Sequence, residues 1–133
     1  MKIIQTFLTE AKNNDVPFIV HIHDPRSGSV HFDLRFLDPV NPKLLHSFAF
    51  GKDFDSKLGE KIVGVKTKDH LPRWLTLQSY RLKTFDEGKA SIVVASPKYY
   101  EIDFKGKKLN GSYKLFKLKT RKRDDQWLLI RSK

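Results

Sequence analysis

From Pro17 onward the chain is written in short runs rich in Val, Ile, Phe, Tyr and Thr, each broken by Gly, Pro, Asn or Asp. Such punctuation leaves little room for a helix of ordinary length and points to β-strands joined by turns. The candidate strands are Phe18 to His23, Val30 to Phe36, Leu44 to Phe50, Lys61 to Lys66, Trp74 to Ser79, Ala90 to Ala95, Tyr99 to Phe104, Ser112 to Leu118 and Gln126 to Arg131. So many short strands in so small a chain predict an all-β barrel or sandwich. Ahead of them, Ile4, Phe7, Leu8 and Ala11 fall at helical spacing and predict a short N-terminal helix. Asn110-Gly111 tolerates positive φ and is the best candidate for a tight hairpin turn. Asp53 to Glu60 is expected to be the mobile loop.

With 133 residues, 39% of them hydrophobic, the chain can build one core, so residues 1–133 are expected to form a single domain. There is no cysteine. Disulfides, thiolate metal sites and cysteine nucleophiles are therefore excluded, and any metal must be held by His, Asp, Glu or backbone oxygen. No apolar run approaches the roughly 20 residues of a membrane span, and the N-terminus lacks the continuous apolar stretch of a secretory signal. A soluble cytoplasmic protein with no membrane partner is expected.

Lys and Arg number 26 against 15 Asp and Glu, a net charge of +11. Lys98 to Lys133 holds 12 of those cations and four acids, so the C-terminal third carries most of the excess. Such a surplus favours an anionic partner, nucleic acid first. Lys117, Lys119, Arg121, Lys122 and Arg123 are the candidate contacts. A solvated basic face with no partner is the plainer alternative.

His21, His23 and His31 crowd into one short window with Asp24 and Asp33. On a strand, alternate residues share a face. His31, Asp33 and Arg35 would then line one side while Phe32, Leu34 and Phe36 line the other. In the preceding strand His21 and His23 share a face opposite Val20 and Ile22, and Pro25 to Ser29 suits the loop between the two. Antiparallel pairing would bring His23 close to His31 and Asp33, and His21 lies on the same face as an alternative first ligand. Two imidazoles and a carboxylate suit a divalent transition ion such as Mn²⁺, Zn²⁺ or Fe²⁺. A solvated outer face explains the same alternation without chemistry. His46, beside Ser47 in an apolar strand, reads as structural.

The pattern Phe18-Ile19-Val20-His21-Ile22-His23-Asp24 followed by His31-Phe32-Asp33-Leu34-Arg35 resembles the opening motif of the 3′-phosphoesterase domain of bacterial DNA ligase D and its free-standing relatives. Further segments are similar in the same order: Ser47-Phe48-Ala49-Phe50 with Lys52, then Lys68-Asp69-His70, Lys108-Leu109-Asn110-Gly111-Ser112-Tyr113 and Gln126-Trp127-Leu128-Leu129-Ile130. The resemblance runs from about Pro17 to the C-terminus. It implies a small closed antiparallel barrel of eight to nine strands with a Mn²⁺-dependent activity, Zn²⁺ or Co²⁺ being substitutes. Such an enzyme heals DNA 3′ ends, at primer–template or duplex ends, by removing a terminal ribonucleoside and hydrolysing a 3′-phosphate to a 3′-hydroxyl. Its partners would be a DNA ligase, a polymerase or a Ku-type repair protein. By the same resemblance His23, His31 and Asp33 match metal ligands, Arg35 and His70 match phosphate-side catalytic groups, and Lys52 matches a phosphate contact.

The departures are as specific as the matches. Asp24 to Val30 is a longer gap than the family's, and Trp74 stands where the family has a phosphate-contacting tyrosine. The arginine expected before the Asp-His motif is missing, Lys61 being one position out of register. The family's Gly-rich stretch is reduced to Glu87-Gly88-Lys89-Ala90. The expected activity is therefore a weakened one, with 3′-phosphate hydrolysis outlasting ribonucleoside removal. A non-catalytic nucleic-acid-binding barrel is the alternative.

Overall fold

The computed structural model describes residues 15–51, 59–120 and 123–133. The expected N-terminal helix, residues 53–58 of the expected loop, Lys52, Arg121 and Lys122 lie outside the described residues. Eight strands follow one another: β1 (Asp15–His23), β2 (His31–Leu37), β3 (Leu45–Phe50), β4 (Lys61–Lys66), β5 (Leu82–Ser96), β6 (Tyr99–Lys105), β7 (Asn110–Lys117) and β8 (Gln126–Arg131). They close into one antiparallel barrel in the order β1-β2-β3-β4-β8-β7-β6-β5, with β5 pairing back onto β1. Among the described residues no helix is long and apolar enough to cross a membrane.

Alternation decides which face of each strand turns inward. Phe18 and Val20 of β1, Leu34 and Phe36 of β2, and Phe48 and Phe50 of β3 enter one buried cluster, with Tyr113 and Trp127 closing it from β7 and β8. The outer face of β1 to β3 is also partly covered. Residues 67–81 cross it as an irregular strap containing a 3-10 turn, Pro72–Leu75, that packs on β1. Ile19 and Leu45, outside the core cluster, are buried all the same. Leu45 and His70 exchange backbone hydrogen bonds of 3.0 and 2.9 Å, which pins the start of the strap.

Three expectations are corrected here. Trp74 to Ser79 is not a strand: Pro72 favours the first turn of a helix-like segment, and Trp74 is spent covering polar groups of the wall rather than pairing. β5 starts at Leu82, not Ala90: Asp86-Glu87-Gly88 has no strand-type residue, yet it pairs with Val20, Ile19 and Phe18 of β1. Asn110-Gly111 is not the hairpin turn but the start of β7, opposite Lys105 and Phe104. The connection is residues 106–109, fixed from across the sheet by Asp86. That buried carboxylate accepts the amides of Lys107, Lys108 and Leu109 at 3.0, 2.9 and 2.8 Å. Burial alone would raise the Asp86 pKa, but these amides and that of Glu87 outweigh it and hold the group below the usual carboxylate range. Gly106 must be glycine, since a Cβ there would strike the carboxylate.

Strand register gives the barrel two distinct ends. His23 opposite His31 and Phe32 opposite Phe50 mark one. Leu37 opposite Leu45, Val65 opposite Gln126 and Lys117 opposite Trp127 mark the other. The two are separated along β2 by about 20 Å of strand, at roughly 3.3 Å per residue.

Candidate metal centre

The outer face of the β1–β2 ladder carries the chemistry that its sequence alternation predicts. His23 pairs with His31 and His21 with Asp33, so four side chains share one face on alternate rungs, with Ile22 opposite Phe32 between them. His23 Nδ1 lies 3.1 Å from His31 Nε2 and 3.4 Å from one Asp33 oxygen, while His31 Nε2 lies 3.2 Å from the other. Ligand atoms bonded to an ion at about 2.0–2.2 Å sit roughly 3.0–3.5 Å apart in octahedral or tetrahedral arrangement, so the triad has the spacing a divalent ion needs. Asp33 is buried at 4% side-chain exposure, whereas His23 and His31 are 36% and 28% exposed. The group is anchored on one side and open on the other.

Tautomers follow from the hydrogen bonds. His31 Nδ1 lies 3.2 Å from the Ser29 carbonyl, which can only accept, so Nδ1 carries the proton and the Nε2 lone pair faces the triad. His21 is arranged differently. Its Nε2 donates to the Leu77 carbonyl at 3.0 Å, and its Nδ1 accepts from Arg35 Nη1 at 2.5 Å. Both nitrogens are engaged away from the triad, so the first triad histidine is His23. Burial and the Arg35 charge push the His21 pKa down to about 4, which keeps the ring neutral at pH 7.

Arg35 is the centre of the buried part of the site. Its second terminal nitrogen donates to Asp33 at 3.1 Å, and its guanidinium carbon lies 5.0 Å from the centroid of the Trp74 ring. Burial lowers the Arg35 pKa and Asp33 opposes the shift, while an arginine starts high enough to keep its charge at neutral pH. Only 3% of the residue is exposed. Among the described residues Arg35 Nε, Ser47 Oγ and Thr84 Oγ1 are buried without a hydrogen-bond partner. Ser47 sits opposite Arg35 and Thr84 opposite His21, so these polar atoms lie on the same wall as the triad. His70 is not brought to the triad: its backbone pairs with Leu45 at the other end of β3, and its ring packs edge-on against Trp74 at 4.3 Å between centroids.

The basic residues are elsewhere. Lys117 ends β7 at the opposite end of the barrel, Lys119 is exposed just beyond it, and Arg123 is held by Asp125 at 3.0 and 2.9 Å. His46 also belongs to that end. It faces into the barrel mouth between Asp38 at 2.8 Å and Asp69 at 3.5 Å, beside a cavity of about 320 Å³ that Tyr100 lines. Burial, then the Asp38 and Asp69 charges, push the Tyr100 pKa up to about 12.

Sequence reasoning missed the role of His21, for which only its shared face with His23 was a signal. It also missed Asp86, whose partners lie far along the chain. No family model matches the chain, and no curated protein matches it.

Proposed function

We propose that the chain is a divalent-metal-dependent phosphoesterase that hydrolyses a 3′-terminal phosphate of DNA to a 3′-hydroxyl. The observation that carries this reading is the His23, His31 and Asp33 triad, at metal-ligand spacing beside the buried Arg35. Mn²⁺, or Zn²⁺ or Co²⁺ in its place, would supply Lewis acidity toward a phosphoryl oxygen. The protein's own groups would do the rest. His31 presents a lone pair fixed by the Ser29 carbonyl. Arg35 offers positive charge where a phosphoryl group gathers negative charge, and His21 and Asp33 hold its planar end in place. His70, whose ring packs on Trp74 and whose backbone pairs with Leu45 at the far end of β3, could give a proton to the leaving oxygen only after the strap moves.

Trp74 over Arg35 is the reason to expect slow turnover. Substrate reaching the guanidinium must displace the indole, and imperfect positioning costs on the order of a hundredfold in rate. Ribonucleoside removal, which must orient a diester and a sugar hydroxyl together, is expected to be weaker still or absent. A DNA ligase, a polymerase or a Ku-type protein would be the partner that uses the healed end.

The test is a labelled primer–template ending in a 3′-phosphate or a 3′-ribonucleotide, incubated with wild type, Asp33→Ala and Arg35→Ala. Mn²⁺-dependent phosphate release that both substitutions abolish is the expected result. The second reading, a non-catalytic nucleic-acid-binding barrel, is favoured by the burial of Arg35 and by the basic residues at the far end. Tight DNA binding with no conversion under Mn²⁺, Zn²⁺, Co²⁺ or Mg²⁺ would establish it instead.

A further inference from the structure

The strap that covers Arg35 ends in a tight turn, Ser79 to Leu82, closed by reciprocal backbone hydrogen bonds of 3.0 and 3.1 Å. Tyr80 and Arg81 are its two central residues. Tyr80 is 74% exposed, more than any other aromatic side chain among the described residues. The Arg81 guanidinium lies 4.8 Å from the Tyr80 ring centroid, and its Nε donates to the Tyr80 hydroxyl at 2.9 Å. One face of the ring is thereby backed by a cation.

This exposed ring is tied to the triad. The Asp24 amide donates to the Arg81 carbonyl at 2.8 Å, and Arg81 Nη1 donates to the Asp24 carbonyl at 3.2 Å. Asp24 directly follows His23, and Leu82, which directly follows Arg81, pairs with His23. The turn that carries this exposed aromatic face is therefore anchored next to His23, with further cations on the adjoining segments: Arg26 in the β1–β2 loop, Arg73 in the strap and Lys83 in β5, all exposed.

We infer that Tyr80 and Arg81 form a stacking platform for the terminal base of a single-stranded nucleic-acid 3′ end, and that this platform presents the end to the triad. The inference deepens the phosphoesterase reading and rests on it for delivery of the end to the triad; the stacking itself stands on the turn. A tyrosine face accepts any base, because every base has a π-face, and the Arg81 guanidinium beside it matches the phosphodiester charge. The platform would therefore favour unpaired ends without regard to sequence. A blunt duplex, whose terminal base is stacked on its neighbour, would gain little.

The experiment uses an oligonucleotide with 2-aminopurine as its 3′-terminal base, titrated in EDTA so that no turnover contributes. Wild type should quench the probe, and Tyr80→Ala should weaken binding of the single-stranded end roughly tenfold while leaving a blunt duplex unaffected. Tyr80→Trp should restore quenching, which a loss of fold would not allow. Mn²⁺ affinity should be unchanged by Tyr80→Ala. Equal affinity and equal quenching for wild type and Tyr80→Ala would overturn the platform, even if Mn²⁺-dependent phosphate release is observed. Tyr80-dependent quenching from a protein that releases no phosphate would uphold the platform and reject the phosphoesterase reading.

Discussion

Replacing His21 by alanine separates two roles that its sequence neighbourhood confuses. The ring is fully buried, and it accepts from Arg35 Nη1 at 2.5 Å while donating to the Leu77 carbonyl at 3.0 Å. Removing it strips a buried charged donor of its acceptor and detaches the strap from β1. The combined cost is about 3 kcal/mol, or about 10 °C in Tm for a chain of this size. The pH dependence has a definite sign. With a folded pKa of about 4 against 6.5 for the free side chain, the unfolded chain binds the proton first as pH falls. The stability tied to the neutral ring is complete above about pH 6.5 and is lost between there and pH 4, about 3 kcal/mol in all. His21→Ala should flatten the profile in that window. Urea denaturation of the metal-free protein from pH 7.5 to 4, with Mn²⁺ calorimetry at pH 7.5, reads both quantities. His21→Ala should keep Mn²⁺ affinity within about tenfold, whereas His31→Ala, which removes a triad nitrogen, should lower it by more than about a hundredfold at little cost in stability. If His21→Ala instead loses Mn²⁺ as completely as His31→Ala and unfolds at the wild-type urea concentration, His21 is a ligand and not the support of Arg35.

Asp86→Asn should lower stability by about 2 kcal/mol at pH 7, seen as a shifted urea midpoint. Because the folded pKa of Asp86 lies below its unfolded value, that contribution is present above the unfolded pKa and disappears as pH falls through the folded one. Neutralising Lys117 and Lys119 should reduce the salt slope of duplex binding by up to about 0.9 for each phosphate no longer neutralised, without changing turnover, since both lie at the barrel end remote from the triad. Arg123→Gln should do less, as Asp125 already engages that charge. Trp74→Tyr should raise the rate of phosphate release, because a smaller ring uncovers Arg35 and supplies a hydroxyl beside it; a rate unchanged or lowered would remove Trp74 as the obstacle.

The parts of this molecule legible in the sequence were those set by neighbours along the chain. Alternation in His31–Leu37 assigned Phe32, Leu34 and Phe36 to one face and His31, Asp33 and Arg35 to the other, and the pairing with β1 followed from a loop of suitable composition. What stayed illegible was set by distant contacts. Asp86 carries no signal of its role until the amides of residues 107–109 are placed around it. His21 and His23 are equivalent by spacing and are distinguished only when Leu77 arrives from the strap. Trp74 has strand-type chemistry but is drawn out of the sheet by the guanidinium it covers. Net charge carried no information about position: Lys117 and Lys119 lie at the barrel end away from the triad.

Whether His23, His31 and Asp33 together hold a divalent cation can be decided by anomalous diffraction from a crystal grown with Mn²⁺. The expected map has one strong peak bonded to His23 Nδ1, His31 Nε2 and an Asp33 oxygen, with His21 still between Arg35 and Leu77. A crystal saturated with Mn²⁺ in which the two imidazoles keep their mutual contact and no peak lies among these three residues would contradict the metal-centre assignment.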